Sequence, residues 1–130
     1  MAGHALSTGG PIAPQTDEGL PGPVLEKLMA VLPESAIVTN PGSLLVYESD
    51  GLTAYRARPR AVLMPSTTEQ AAAAIAALAA YRIPFVARGA GTGLSGGALA
   101  LNGAVVISLA RLDRILGIDP QNRRARVQPG

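Results

Sequence analysis

Cysteine and tryptophan are absent from this 130-residue chain, and its aromatics are three tyrosines and one phenylalanine. Without cysteine there is no disulfide framework, thiol nucleophile, thiolate metal site or cysteinyl cofactor link. The single histidine, His4, is too isolated to build a histidine metal site or a catalytic triad. Charged residues are sparse too, 15% against 48% apolar, which argues for a folded chain and against disorder. Long apolar runs are missing. The longest, Ala71 to Ala80, falls short of the roughly 18 residues that span a bilayer. The first twenty residues also lack the basic patch and apolar run of a signal peptide, so a cytoplasmic location is expected. The length allows one modest domain.

What is present is unevenly spread. Residues 1–50 hold one base, Lys27, against six acids, whereas residues 51–130 hold ten arginines against three acids. Compositional bias explains this simply; a small phosphorylated ligand is the functional alternative. Nucleic acid is a poor partner, because the arginines are dispersed and few aromatics are available to stack bases.

Residues 1–22 are rich in glycine and proline without periodicity and read as a flexible leader. Residues 23–58 form an N-terminal helix and a connecting segment. The helix runs from Val24 to Leu32, where Pro33 stops it; Leu44–Glu48 can be helical or extended. From residue 59 the pattern is clearer. Ala61–Met64 is a short buried strand, and Ser66–Gln70 offers two overlapping capping boxes, Ser66 with Glu69 and Thr67 with Gln70. A helix over Thr68–Tyr81 would face the sheet with Ile75 and Leu78, joined by Ala71, Ala74 and Tyr81. Pro84–Ala87 follows as a buried strand, completing a β-α-β unit. Ala104–Leu109 is a further strand, and Ile115–Ile118 with Ala125–Gln128 is a hairpin around Asp119-Pro120-Gln121-Asn122.

The informative motif lies between the last two of the single strands. Five glycines fall within nine residues of Arg88-Gly-Ala-Gly-Thr-Gly-Leu-Ser-Gly-Gly97. A backbone so free of Cβ atoms can approach a ligand closely, and successive N–H groups can converge on an anion. The plain alternative is a flexible loop that holds nothing. Gly91–Gly96 matches G-x-G-x-x-G, but the nicotinamide reading needs a helix opening at the motif. Only seven residues, Gly97–Gly103, separate the motif from the next strand, too few for a crossover helix. No Walker lysine follows, which removes the P-loop. A pyrophosphate cradled by the amides of an extended loop fits best. Arg88 either pairs that anion or braces the loop, with bracing favoured. Tyr47 and Asp50 read as turn and packing residues, Asp113 with Arg111 and Arg114 as a solvated turn, and Arg123, Arg124 and Arg126 as an exposed hairpin.

Several ordered segments together resemble one family. They are Tyr47-Glu-Ser-Asp-Gly-Leu52, Pro59–Pro65, Ile83–Ala98, Leu109–Ile115 and Arg124–Gly130. Residues 59–130, and more loosely 24–58, resemble the FAD-linked oxidases of the vanillyl-alcohol oxidase and p-cresol methylhydroxylase (PCMH) type. The likeness is greatest to the N-terminal part of the glycolate oxidase FAD subunit and to D-lactate dehydrogenases. The resemblance implies an α+β fold, the N-terminal portion of a PCMH-type FAD-binding domain, with residues 59–130 as a partial domain truncated at its C-terminus. It implies that Gly89, Ala90, Gly91, Thr92 and Gly93 wrap the FAD pyrophosphate and that Gly97 and Ala98 close the loop. Pro65 and Gly130 would lie where strand ends touch the nucleotide. Lacking a loop histidine or any cysteine, the chain should hold FAD non-covalently. The implied reaction is oxidation of a small 2-hydroxy acid, glycolate or D-lactate, with electrons passing on, an iron–sulfur subunit being one candidate acceptor. No catalytic or metal residue can be nominated, and these 130 residues alone should show little activity. An inactive fragment is the rival reading, and a Rossmann-type domain ranks last.

Overall fold

The computed structural model describes residues 19–130; His4 and most of the proposed leader lie outside them. Helix α1 covers Gly22–Met29, and a 3-10 turn at Glu34–Ala36 leads into β1, Ile37–Val38. Helix α2, Pro41–Leu44, continues as a 3-10 turn over Leu45–Tyr47, so the ambiguous stretch is helical. Asn40 starts it, its side-chain oxygen accepting the amide of Gly42 at 2.9 Å. Then come β2 (Val62–Leu63), α3 (Thr68–Ala80), β3 (Phe85–Arg88), β4 (Val105–Ser108), β5 (Ile115–Asp119) and β6 (Arg124–Val127). The fold is α+β.

Four strands form one sheet in the order β1-β2-β4-β3, with β1 antiparallel and the other pairings parallel. The β-α-β unit is present, but β4 lies between β2 and β3, so those two strands do not pair. Central β4 is buried along its whole length, as a strand covered on both faces must be. Leu63, Val105 and Ile107 pack with Val24 and Leu28 of α1 and with Ala74, Ala77 and Leu78 of α3. Val62 and Val106 point the other way, into a smaller cluster with Leu44, Ala100 and Ala104.

Two expectations are corrected. Strand β3 is the sheet's edge, bonded only to β4, and it is not a buried strand: Phe85 is 41% exposed. A four-residue apolar run does not reveal whether a second neighbour flanks it. On α3, Ile75 faces solvent, as does Tyr81 just past its end, while Ala77 joins Ala74 and Leu78 in the core. A helix made almost wholly of apolar residues has little polar contrast to set its phase. Exposed Tyr81 instead lies 5.2 Å beneath the Lys27 ammonium of α1, measured to the ring centre.

The ends of α3 are chemically closed. Thr67 is the N-cap, its hydroxyl accepting the Gln70 amide at 3.2 Å, while Gln70 Oε1 accepts the amide of Ser66 at 2.8 Å. The pairing of Ser66 with Glu69 does not form the cap. Glu69, in the first turn, has its carboxyl held below its ordinary pKa by its backbone hydrogen bond and then by the Thr67 hydroxyl. At the C-terminus, Arg82 donates to Ala79 O at 3.0 Å and Ile83 to Leu78 O at 3.0 Å, a Schellman arrangement. Arg82 takes the left-handed position there at φ 54. A side chain at that φ costs about 1–2 kcal/mol, and glycine gives back about 0.5–1 kcal/mol through the freer unfolded chain, so Arg82→Gly should stabilise the fold by roughly 0.5–1 kcal/mol. Urea unfolding would show the midpoint rising with an unchanged slope; a lower midpoint would contradict it.

The hairpin forms a separate two-stranded sheet. Asp119 closes its turn, accepting from Asn122 Nδ2 at 2.7 Å and from the Asn122 amide at 3.1 Å. These bonds, the side-chain one foremost, lower the Asp119 pKa. A bulge between Ile115 and Gly117 puts Ile115, Ile118, Ala125 and Val127 on one face, and Arg124 and Arg126 on the other. Ile115, Ile118 and Val127 are each more than half exposed.

Candidate functional site

The parallel strands β2, β4 and β3 all end on the same side of the sheet. Ligands of open α/β sheets gather at such carboxyl ends. Here β3 runs into the glycine loop, β2 into Pro65, and β4 into the turn Leu109–Leu112. The final residues return to this end: the Gly130 amide donates to Leu112 O at 2.7 Å. A Cβ on Gly130 would run into Leu109 O, and one on Gly89 would stand 3.4 Å from Pro129 O.

The loop is a series of bends, non-helical through Ala100, with a turn closed by the Leu99 amide on Gly96 O at 3.2 Å, and before β4 there is only the short 3-10 turn Leu101–Gly103, broken by left-handed Asn102 at φ 56. The helix that a nicotinamide fingerprint would open at Gly93 is absent, which removes the Rossmann reading. Gly91 and Gly96 take positive φ, 74 and 73, so the backbone itself demands glycine there. Gly93 and Gly97 differ. A Cβ on either would meet nothing within 4 Å, so neither is required by this chain's own packing. Their bare backbone leaves an open surface that a ligand can approach.

Within Gly89–Ala98, the Gly96 amide donates to an acceptor among the described residues, Asp50 Oδ2, at 2.8 Å. No bond within the described residues uses the amides of Ala90, Gly91, Thr92 and Gly93. A run of unspent N–H groups on an exposed loop suits an anion with several acceptor oxygens, as a pyrophosphate has. The donor set and the open backbone therefore fit FAD.

Arg88 does not reach outward. Its Nη1 donates to Ser49 O at 2.7 Å, and its guanidinium lies 5.6 Å from the centre of the Tyr47 ring. It braces the loop. Tyr47 packs inward, its hydroxyl 3.8 Å from Met64 Sδ. Asp50 is 6% exposed, with Oδ1 accepting the Leu52 amide at 2.9 Å. Pro65 is at the right end of the sheet but fully buried, so its ring offers no open face. Arg111 Nη1 donates to Met64 O at 3.3 Å, tying the post-β4 turn to the end of β2. The reading of Asp50 as a turn and packing residue did not include its contact with the loop, because 46 residues separate Asp50 from Gly96. Among the described residues there is no cluster of three or more acids or histidines suited to a metal, and no helix is long and apolar enough to cross a membrane.

Comparison with known proteins places the fold and the family. A family model described as FAD binding domain matches residues 59–130. The glycolate oxidase subunit GlcD of Escherichia coli (strain K12) is 49% identical over 107 residues, covering 82% of this chain and 21% of the relative. D-lactate dehydrogenase of Anaerostipes hadrus is 32% identical over 108 residues, covering 82% and 22%. The chain thus spans about a fifth of the length of these curated relatives. Among solved structures, p-cresol methylhydroxylase superposes with a TM-score of 0.64 at 22% identity, over 75% of this chain and 20% of that one. An alkyldihydroxyacetonephosphate synthase reaches 0.68 at 14% identity, over 94% and 26%. The fold is that of PCMH-type flavoproteins, and the chain belongs to the FAD-binding domain family.

Proposed function

We propose that this chain is the FAD-binding, N-terminal portion of a cytoplasmic oxidoreductase that converts a small 2-hydroxy acid, glycolate or D-lactate, to the 2-oxo acid. The carrying observation is the loop after β3, whose unspent amides stand at the carboxyl end of the parallel strands. The 49% identity to a glycolate oxidase subunit supports the substrate class. In this reading Gly89, Ala90, Gly91, Thr92 and Gly93 hold the pyrophosphate through backbone N–H groups. Gly97 and Ala98 close the loop behind it. Bound FAD supplies the hydride acceptor. The chain's own part is to bind and orient; the groups that position the hydroxy acid are sought outside these residues. FAD is held non-covalently, since the loop has no histidine and the chain no cysteine. An iron–sulfur subunit is the proposed next electron carrier.

The test is purification of the chain, titration with FAD, and acid precipitation of the complex. Saturable binding with all flavin released into the supernatant is expected; flavin remaining in the pellet would refute the non-covalent mode. Dye reduction with glycolate, D-lactate and 2-hydroxyglutarate is then compared between this chain and the same chain mixed with a polypeptide supplying the rest of a GlcD-like subunit. Activity is expected only in the mixture. A second reading, a folded chain without catalysis, draws on the exposed apolar face of the β5–β6 hairpin. It predicts aggregation and no flavin absorbance on purification.

A further inference from the structure

Asp50 is the one buried charged side chain among the described residues, and it sits beside the glycine loop. Both of its oxygens are committed to backbone amides, Oδ1 to Leu52 at 2.9 Å and Oδ2 to Gly96 at 2.8 Å. Its neighbours on either side also grip the loop. Gly51 donates its N–H to Gly93 O at 2.9 Å, and Ser49 O accepts Arg88 Nη1 at 2.7 Å. A Cβ on Gly51 would stand 2.7 Å from Thr92 O and 2.9 Å from Gly93 O. Three consecutive residues therefore hold the loop at its base, its middle and its far end.

A carboxylate next to a loop suited to an anion opposes that anion by Coulomb repulsion, so its presence needs a compensating gain. Glycine-rich backbone loses more conformational freedom on ordering than any other. If that freedom is lost on folding, it no longer opposes ligand binding. A carboxylate suits the task because it only accepts, and its bonds to N–H groups are charge-assisted. It also engages the amide of Gly96 and leaves those of Ala90 to Gly93 for the ligand.

We propose that Asp50 is a positioning residue for the FAD site: with Gly51, it holds Gly93 and Gly96 in the binding shape before the cofactor arrives. The proposal rests on the reading that this loop receives the FAD pyrophosphate. It is tested on the whole chain with Asp50→Ala, Asp50→Asn and Gly51→Ala. The control is Arg56→Ala, which breaks the exposed Arg56–Glu48 ion pair (2.9 Å) in the same segment. Amide hydrogen exchange of the loop without FAD, FAD affinity by flavin fluorescence, and thermal unfolding are read in parallel. Asp50→Ala should speed exchange at Gly96 and weaken FAD binding, each about tenfold or more, at temperatures where circular dichroism shows the fold intact. Asp50→Asn keeps one acceptor oxygen and should fall between wild type and Ala, which carries the test if the Ala variant does not fold. Gly51→Ala should weaken FAD binding similarly, and Arg56→Ala should change neither loop exchange nor FAD affinity. A lower melting temperature with wild-type Gly96 exchange and FAD affinity would overturn the proposal, leaving Asp50 a local turn residue. Should the wild-type chain bind no FAD, the pyrophosphate reading fails. Exchange in the apo chain then still decides whether Asp50 sets the loop.

Discussion

Replacing Gly91 by valine is expected to weaken FAD binding by about a hundredfold while leaving the secondary structure intact. At φ 74 a residue with a Cβ is strained by about 1–2 kcal/mol, and a β-branched one by more. The new side chain would also enter the space of the Arg88 guanidinium. Arg88 must then give up its bond to Ser49 O or its place over Tyr47. A hydrogen bond from a charged donor is worth about 1.5–3 kcal/mol. Together these come to about 2.5–5 kcal/mol; where the free loop relaxes out of the binding shape that cost falls on FAD binding, and a hundredfold in affinity corresponds to roughly 2.8 kcal/mol. The loop lies outside every helix and strand, so circular dichroism should not change while flavin titration does. Gly93→Ala sharpens the contrast. Its Cβ meets nothing within 4 Å, so thermal stability should hold while FAD affinity falls wherever the pyrophosphate approaches that backbone. Wild-type FAD affinity in both variants would remove the loop from the cofactor site.

Replacing Leu63 by alanine should cost about 3–4 kcal/mol of stability and lower the melting temperature by roughly 10 °C or more. Leu63 is fully buried in β2, in register with Ile37 on one side and Ile107 on the other. It packs into the cluster that joins α1 and α3 to the sheet. Four members of that cluster, Ala36, Ala61, Ala74 and Ala77, have no side-chain freedom with which to fill a cavity, so the cost belongs in the middle to upper part of the usual range. Domains of this kind have only about 5–15 kcal/mol in total, so the loss is a large fraction. Urea unfolding followed by circular dichroism measures it; a change under about 1 kcal/mol would mean that the sheet is not held by this cluster.

Much of this architecture was legible in the residues because its signals are local. Pro65 and Thr67 mark the strand's end and the helix's start through a missing amide and a side-chain cap, and both act within a few residues. The Asp119–Asn122 turn is local for the same reason. What was not legible depends on neighbours distant in the chain. Nothing within Phe85–Arg88 tells an edge strand from a central one, because that is decided by β4 inserting beside it. Nothing within α3 sets its phase, because alanine supplies no polar contrast and the sheet chooses the buried face.

The glycine loop divides in the same way. Its composition alone determined that backbone rather than side chains would supply most of the loop's polar groups, since five glycines in nine residues leave little else. Tertiary structure alone decided that Arg88 turns inward to Ser49, that Asp50 spends its charge on Gly96, and that Gly93 and Gly97 face open space. The physical reason is separation along the chain. Backbone freedom and capping are properties of adjacent residues, whereas the partners of Arg88 and Asp50 lie 39 and 46 residues away and meet only once the sheet has formed.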